Sequence, residues 1–120
     1  MQAPKNDPEL AKAAARARKE FTTFKNALSV ARDRSSFSFK YGVPLNDGNK
    51  EYMWFDHVKI QGAQISGTLA NEPDLATMKF GTPITISLGS LEDWLYVKDN
   101  RLHGAFSIRV FRGRMTISEC

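Results

Sequence analysis

The chain has 120 residues and a mass of 13.5 kDa, enough for one domain but not for two independent cores. Apolar residues make up 42% and charged residues 25%, a globular balance. No apolar run approaches the ~18 residues of a membrane span. The net charge of +4 comes from residues 1–34, with eight Lys/Arg against four Asp/Glu, while the rest hold nine of each. A neutral body with one basic segment differs from a nucleic-acid binder, whose charge spreads over a docking face. The polar start lacks the apolar stretch of a secretory signal, which predicts a cytoplasmic protein, or an exported one whose signal has been removed. The single cysteine, Cys120, can neither close an intramolecular disulfide nor complete a structural zinc site.

Asp7 and Pro8 read as the cap and first position of a helix, with Glu9 in its positive first turn. Leu10, Ala14, Ala17, Phe21, Phe24, Leu28 and Ala31 then recur at steps of three and four, which predicts one long helix ending near residues 31–34. Its alanine half is weakly apolar, so Phe21 and Phe24 should anchor it. Residues 1–9 are expected as a flexible arm and 10–115 as the single folded domain.

The remainder reads as β. Phe37, Phe39 and Tyr41 alternate with polar residues, giving a half-buried strand. Residues 46–49 form a turn. Residues 51–60 make a second strand, apolar on both faces at Tyr52-Met53-Trp54-Phe55, with Trp54 expected in the core. Residues 64–70 and 83–88 are further strands. Residues 91–97 lead into another, and Asp99-Asn100 turns the chain back through 101–103. Residues 105–115 fit either a strand or a helix, and the Arg-rich end favours a helix C-terminus.

Four ordered words carry a resemblance: Glu51-Tyr52-Met53-Trp54-Phe55-Asp56, Gly67-Thr68-Leu69-Ala70-Asn71-Glu72-Pro73, Glu92-Asp93-Trp94-Leu95-Tyr96-Val97 and Gly104-Ala105-Phe106-Ser107-Ile108-Arg109-Val110. With the helix of residues 13–24, they resemble the YegJ-like family of bacterial proteins, domain of unknown function 2314. At 103–106 this chain has His103-Gly104-Ala105-Phe106 where that family tends to have paired glycines. The resemblance implies a fold and a bacterial or phage setting, and no reaction.

The chemistry on offer is limited. His57 and His103 have no partner at metal-ligand spacing, and alternation along a strand would put Asp56 and His57 on opposite faces, so no metal site is expected. Nucleophile elbows and phosphate-binding glycine loops are absent, and no cofactor is expected. The enzymatic alternative is an acid/base carboxylate, Glu51, Glu72 or Asp93, desolvated beside an aromatic residue and acting on a small polar substrate. Asp93 before Trp94, and Asn71-Glu72 before Pro73, read first as turn and cap residues, since no companion nucleophile or metal accompanies them. Trp94, expected half exposed, could line a groove with Tyr96, flanked by Asn71, Glu72, Asp93 and Arg109. Lys12, Arg16 and Lys19 on the helix could make weak contact with nucleic acid, but such faces are mostly solvated surface. The expected fold is therefore α+β: a long N-terminal helix on a strongly bent antiparallel sheet of five to six strands that could close towards a barrel, then a short C-terminal helix or strand. The expected function is non-enzymatic binding of a protein partner or small ligand, in the manner of an inhibitor or immunity protein, without membrane or nucleic acid.

Overall fold

The computed structural model describes residues 7–74 and 76–113. Helix α1 spans Pro8–Lys19, and the Asp7 carboxylate accepts from the N–H groups of Glu9 at 3.0 Å and Leu10 at 3.3 Å. Pro8 and Glu9 belong to the helix, in the positions the Asp7-Pro8-Glu9 cap predicts; residues 1–6 lie outside the described residues. The expected single helix is broken at Glu20 (φ −98°, ψ 14°), and α2 runs from Phe21–Val30. The break falls where the apolar stripe changes from alanine to phenylalanine. The alanine face lets α1 approach its neighbours closely, whereas Phe21 and Phe24 need room. Phe24 fills that room with its ring 5.5 Å from Phe37, 5.3 Å from Trp94 and 6.2 Å from Tyr96.

Among the described residues six strands follow: β1 Ser38–Pro44, β2 Lys50–Gln61, β3 Gln64–Leu69, β4 Pro83–Ser87, β5 Asp93–Lys98 and β6 Arg101–Gly104. They form one antiparallel sheet in the order β4-β3-β2-β1-β5-β6. β4 and β6 are the free edges, so the sheet is open and the expectation of barrel closure is corrected. These edge strands are only five and four residues long and lie at opposite ends. The core is closed by other means, with the helices packed on one side and Ala76 and Met78 of the β3–β4 connection set against the same cluster.

Register separates the two faces. Phe39 lies opposite both Phe55 and Trp94, and Phe55 opposite Leu69; all are buried. One residue along, Lys40 lies opposite both Trp54 and Asp93, and Asp56 opposite Thr68, which places these on the other face. Trp54, expected in the core, is half-buried on that second face. The run 52–55 is apolar on both sides, but only Met53 and Phe55 face the core cluster that Phe21 and Phe24 of the helix also join.

The segment after β6 is helix α3, Phe106–Gly113. Asp99 and Asn100, both with positive φ (53° and 62°), make the two-residue hairpin turn into β6. Two further left-handed residues, Gly104 (φ 77°) and Ala105 (φ 55°), swing the chain from β6 into α3. The paired glycines of the resembling family fit this backbone.

Candidate functional site

α3 begins on a carboxylate supplied from another element. Asp93, fully buried at the start of β5, accepts from the N–H groups of Trp94 (2.8 Å), Phe106 (3.1 Å) and Ser107 (2.9 Å) and from the Ser107 hydroxyl (2.6 Å). Two of these are otherwise unpartnered donors of the helix N-terminus. Burial pushes the Asp93 carboxyl above the usual carboxylate range, against the pull of the hydrogen bonds from Ser107, Trp94 and Phe106. Lys40 donates to the same Ser107 hydroxyl at 3.1 Å, so a Lys40–Ser107–Asp93 chain links β1, α3 and β5. Burial holds the Lys40 ammonium below the usual lysine range, opposed by the charges of Asp93 and Glu92.

Glu51 is the second buried carboxylate, 3% exposed. Its two oxygens accept from the N–H groups of Asp74 (2.7 Å) and Ala76 (2.8 Å), fastening the β3–β4 connection to β2. Both of the buried candidates for acid/base work therefore hold backbone in place. Glu72, the third, is exposed on that connection.

The proposed groove residues do not come together at a surface. Trp94 is 2% and Tyr96 5% exposed, which corrects the expectation that Trp94 is half exposed. The indole Nε1–H donates to the carbonyl of Ala17 at 2.8 Å, tying α1 to β5, and the rings of Trp94 and Tyr96 stack at 6.0 Å. Asn71 accepts from the Trp54 N–H through its side-chain oxygen (2.5 Å) and so ends the β2–β3 pairing. Arg109 donates to the carbonyls of Gly104 (3.0 Å) and Leu102 (3.2 Å), binding α3 back to β6. On the helix, Arg16 pairs with Glu20 at 2.6 Å and lies over the Phe106 ring, while Arg18 donates to the Leu91 carbonyl at 2.9 Å.

What stays accessible is the second face of the sheet. Tyr52 and Trp54 stand two residues apart on β2, both half-buried. Lys40 lies 5.4 Å from the Tyr52 ring and 5.8 Å from that of Phe111, so α3 walls one side of this aromatic strip. Burial, with the Glu92 charge behind it, raises the Tyr52 phenol above its ordinary range. Sequence reading missed Lys40, because only the pairing of β1 with β5 brings it beside Asp93.

The same face carries a bulge. Pairing of β2 with β3 slips between Asp56 and Lys59, and His57 takes a positive φ of 53°. The expectation that Asp56 and His57 face opposite ways fails here, because the extra residue interrupts the alternation. His57 Nδ1 lies 2.8 Å from Asp56 Oδ1 and 3.1 Å from Thr68 Oγ1, and the Thr68 hydroxyl donates to Asp56 Oδ1 at 2.8 Å. Burial would raise the Asp56 carboxyl, but the hydrogen bonds from Thr68 and His57 outweigh it and hold the group below its usual range. Among the described residues no three His, Cys, Asp or Glu side chains converge as metal ligands, and no helix is long and apolar enough to cross a membrane.

Comparison with known proteins matches residues 7–120 to the sequence profile of a family described as an uncharacterised protein conserved in bacteria, DUF2314. A Neisseria meningitidis serogroup B protein, named as an ankyrin repeat protein, is 32% identical over 122 residues. That match takes in 94% of this chain and 48% of the relative, so the chain spans about half the length of the curated relative it matches. No solved structure matches. The profile match runs from the Asp7 cap through every helix and strand described above, and the chain belongs to the bacterial DUF2314 family.

Proposed function

We propose that this domain is a non-catalytic binding module that engages a protein partner through the open face of its sheet, centred on Tyr52 and Trp54. The observation that carries it is the position of these two aromatics. They stand half-exposed in mid-sheet, beside the cation of Lys40 and the wall of α3, on the face the N-terminal helices leave uncovered. Large aromatics flanked by a cation are the residue types that dominate protein-interface energetics. Glu51 and Asp93, the buried carboxylates available for acid/base catalysis, are instead engaged with backbone donors. The ankyrin-repeat name of the Neisseria relative agrees with this, since such repeats stack into extended binding surfaces. An inhibitor or immunity-type role would use the surface stoichiometrically.

The test is affinity capture from a bacterial lysate with the unmodified domain and with Tyr52→Ser/Trp54→Ser, both shown to be folded. A partner retained by the first and lost by the second supports the module. A partner retained equally by both removes this face from the contact. Turnover of a small substrate that is abolished by Asp93→Asn in a folded protein would favour the enzyme instead.

A further inference from the structure

The β2–β3–β4 wing of the same face carries a second feature, independent of Tyr52 and Trp54. An open cavity of about 490 Å³ is lined by His57, Lys59, Thr68 and Thr85, with Ser66 between the strands. Lys59, Ser66 and Thr85 form one cross-strand row, since Lys59 lies opposite Ser66 and Ser66 opposite Thr85. One row on, Asp56 lies opposite Thr68, and the bulge brings His57 over it.

Three observations give the cavity a chemical preference. Among the described residues no carboxylate lines it, although Asp56 is adjacent. Asp56 accepts from the Thr68 hydroxyl and fixes the Nδ1 side of the imidazole, which leaves Nε2 as the ring nitrogen without a partner among the described residues. The His57 side chain is 79% exposed, and among the described residues Lys59, Ser66 and Thr85 make no side-chain hydrogen bond or ion pair. An ammonium, an imidazole oriented from behind by a carboxylate, and two hydroxyls thus border one concave space. Holding a non-glycine residue at positive φ in mid-strand carries a backbone cost, and such strain concentrates at binding sites.

We propose that this cavity binds the oxyanion of a small phosphorylated or carboxylated molecule, with the Lys59 ammonium neutralising it and His57 Nε2, Ser66 and Thr85 placed to hydrogen-bond it. The Asp56 carboxylate is the positioning group, setting the ring through Nδ1 without touching the ligand.

The experiment is an NMR titration of the whole chain with added anion. Inorganic phosphate and acetate are added separately at constant ionic strength. The expected result is saturable shifts at the His57 ring and at the amides of Ser66 and Thr85, weakened at least tenfold in Lys59→Met. Preferential saturation by phosphate assigns a phosphorylated ligand, and equal saturation by acetate a carboxylate. His57→Gly separates binding from folding: glycine accepts the bulge backbone, so this variant should unfold at no lower denaturant concentration while losing the response. Shifts that grow linearly with either anion, or persist unchanged in Lys59→Met and His57→Gly, overturn the proposal. Capture through Tyr52 and Trp54 involves none of these residues, so the two ideas fail separately.

Discussion

Ser107 gives Asp93 two hydrogen bonds, its N–H at 2.9 Å and its hydroxyl at 2.6 Å, across 14 residues of sequence. A strand thereby supplies the N-terminal cap of a helix that comes later in the chain. The Glu92-Asp93-Trp94 and Phe106-Ser107 words are thus physically joined.

Asp93→Ala leaves buried N–H donors at Trp94, Phe106 and Ser107 without an acceptor. Each such group costs about 1–3 kcal/mol, so the variant should lose about 3 kcal/mol or more. Ser107→Ala removes one hydroxyl and should cost about 1 kcal/mol. Urea unfolding of both variants and of the double variant should give a coupling of about 1 kcal/mol. Strict additivity would mean that the two residues do not interact.

Asp93 and Asp56 should titrate on opposite sides of the ordinary value, about 3.9. Burial raises Asp93 in the native state, so between that value and its folded pKa the native protein binds the extra proton. Its contribution to stability therefore falls as pH rises through this window. Asp56 is lowered, so its contribution is present above the ordinary value and is lost as pH falls through its folded pKa. NMR titration of the carboxyl carbons reads the order directly; Asp93 titrating below Asp56 would contradict the burial assigned to it.

Gly104 tests the entry to α3. A Cβ there would run into the Trp94 carbonyl oxygen and lie 2.5 Å from a carbon of its ring, at a backbone φ of +77°. Gly48 has a similar φ of +84° with open space around it. Gly48→Ala should cost about 1–2 kcal/mol from backbone alone. Gly104→Ala should cost about 3 kcal/mol or more, because overpacking adds to the strain. Equal losses in thermal unfolding would show that the Trp94 contact is loose.

The aromatic residues should divide by face. Phe24→Ala empties a fully buried site against Phe37, Trp94 and Tyr96 and should cost about 3–5 kcal/mol. Trp54→Ala, on the half-covered face, should cost clearly less, about 1–2 kcal/mol from the smaller apolar area lost. A larger loss for Trp54 than for Phe24 would reverse the assignment of the sheet's core face.

Local chemistry made much of this fold legible in the sequence. Asp7-Pro8 announced the first helix, Phe37-Phe39 the first strand, and Asp99-Asn100 a tight hairpin turn. Long-range pairing was not legible, and it decided the site. Periodicity shows that Trp54 and Trp94 each alternate with neighbours, but not that a helix would cover only Trp94. Asp93 was visible as a turn or cap residue; that its partner is Ser107 depends on where β6 delivers the chain. The bulge at His57 has no signature in local sequence, because alternation predicts a face for every residue and says nothing of where an extra one is inserted.

The most direct measurement of partner binding through the open face is site-specific photocrosslinking in a bacterial cell. A photoreactive phenylalanine analogue replaces Trp54 on the sheet or, as control, the exposed Val30 at the end of α2. A binding module facing its partner through β2 predicts one discrete crosslinked protein from position 54 and none from position 30. No discrete product from position 54, or the same products from both positions, would contradict it.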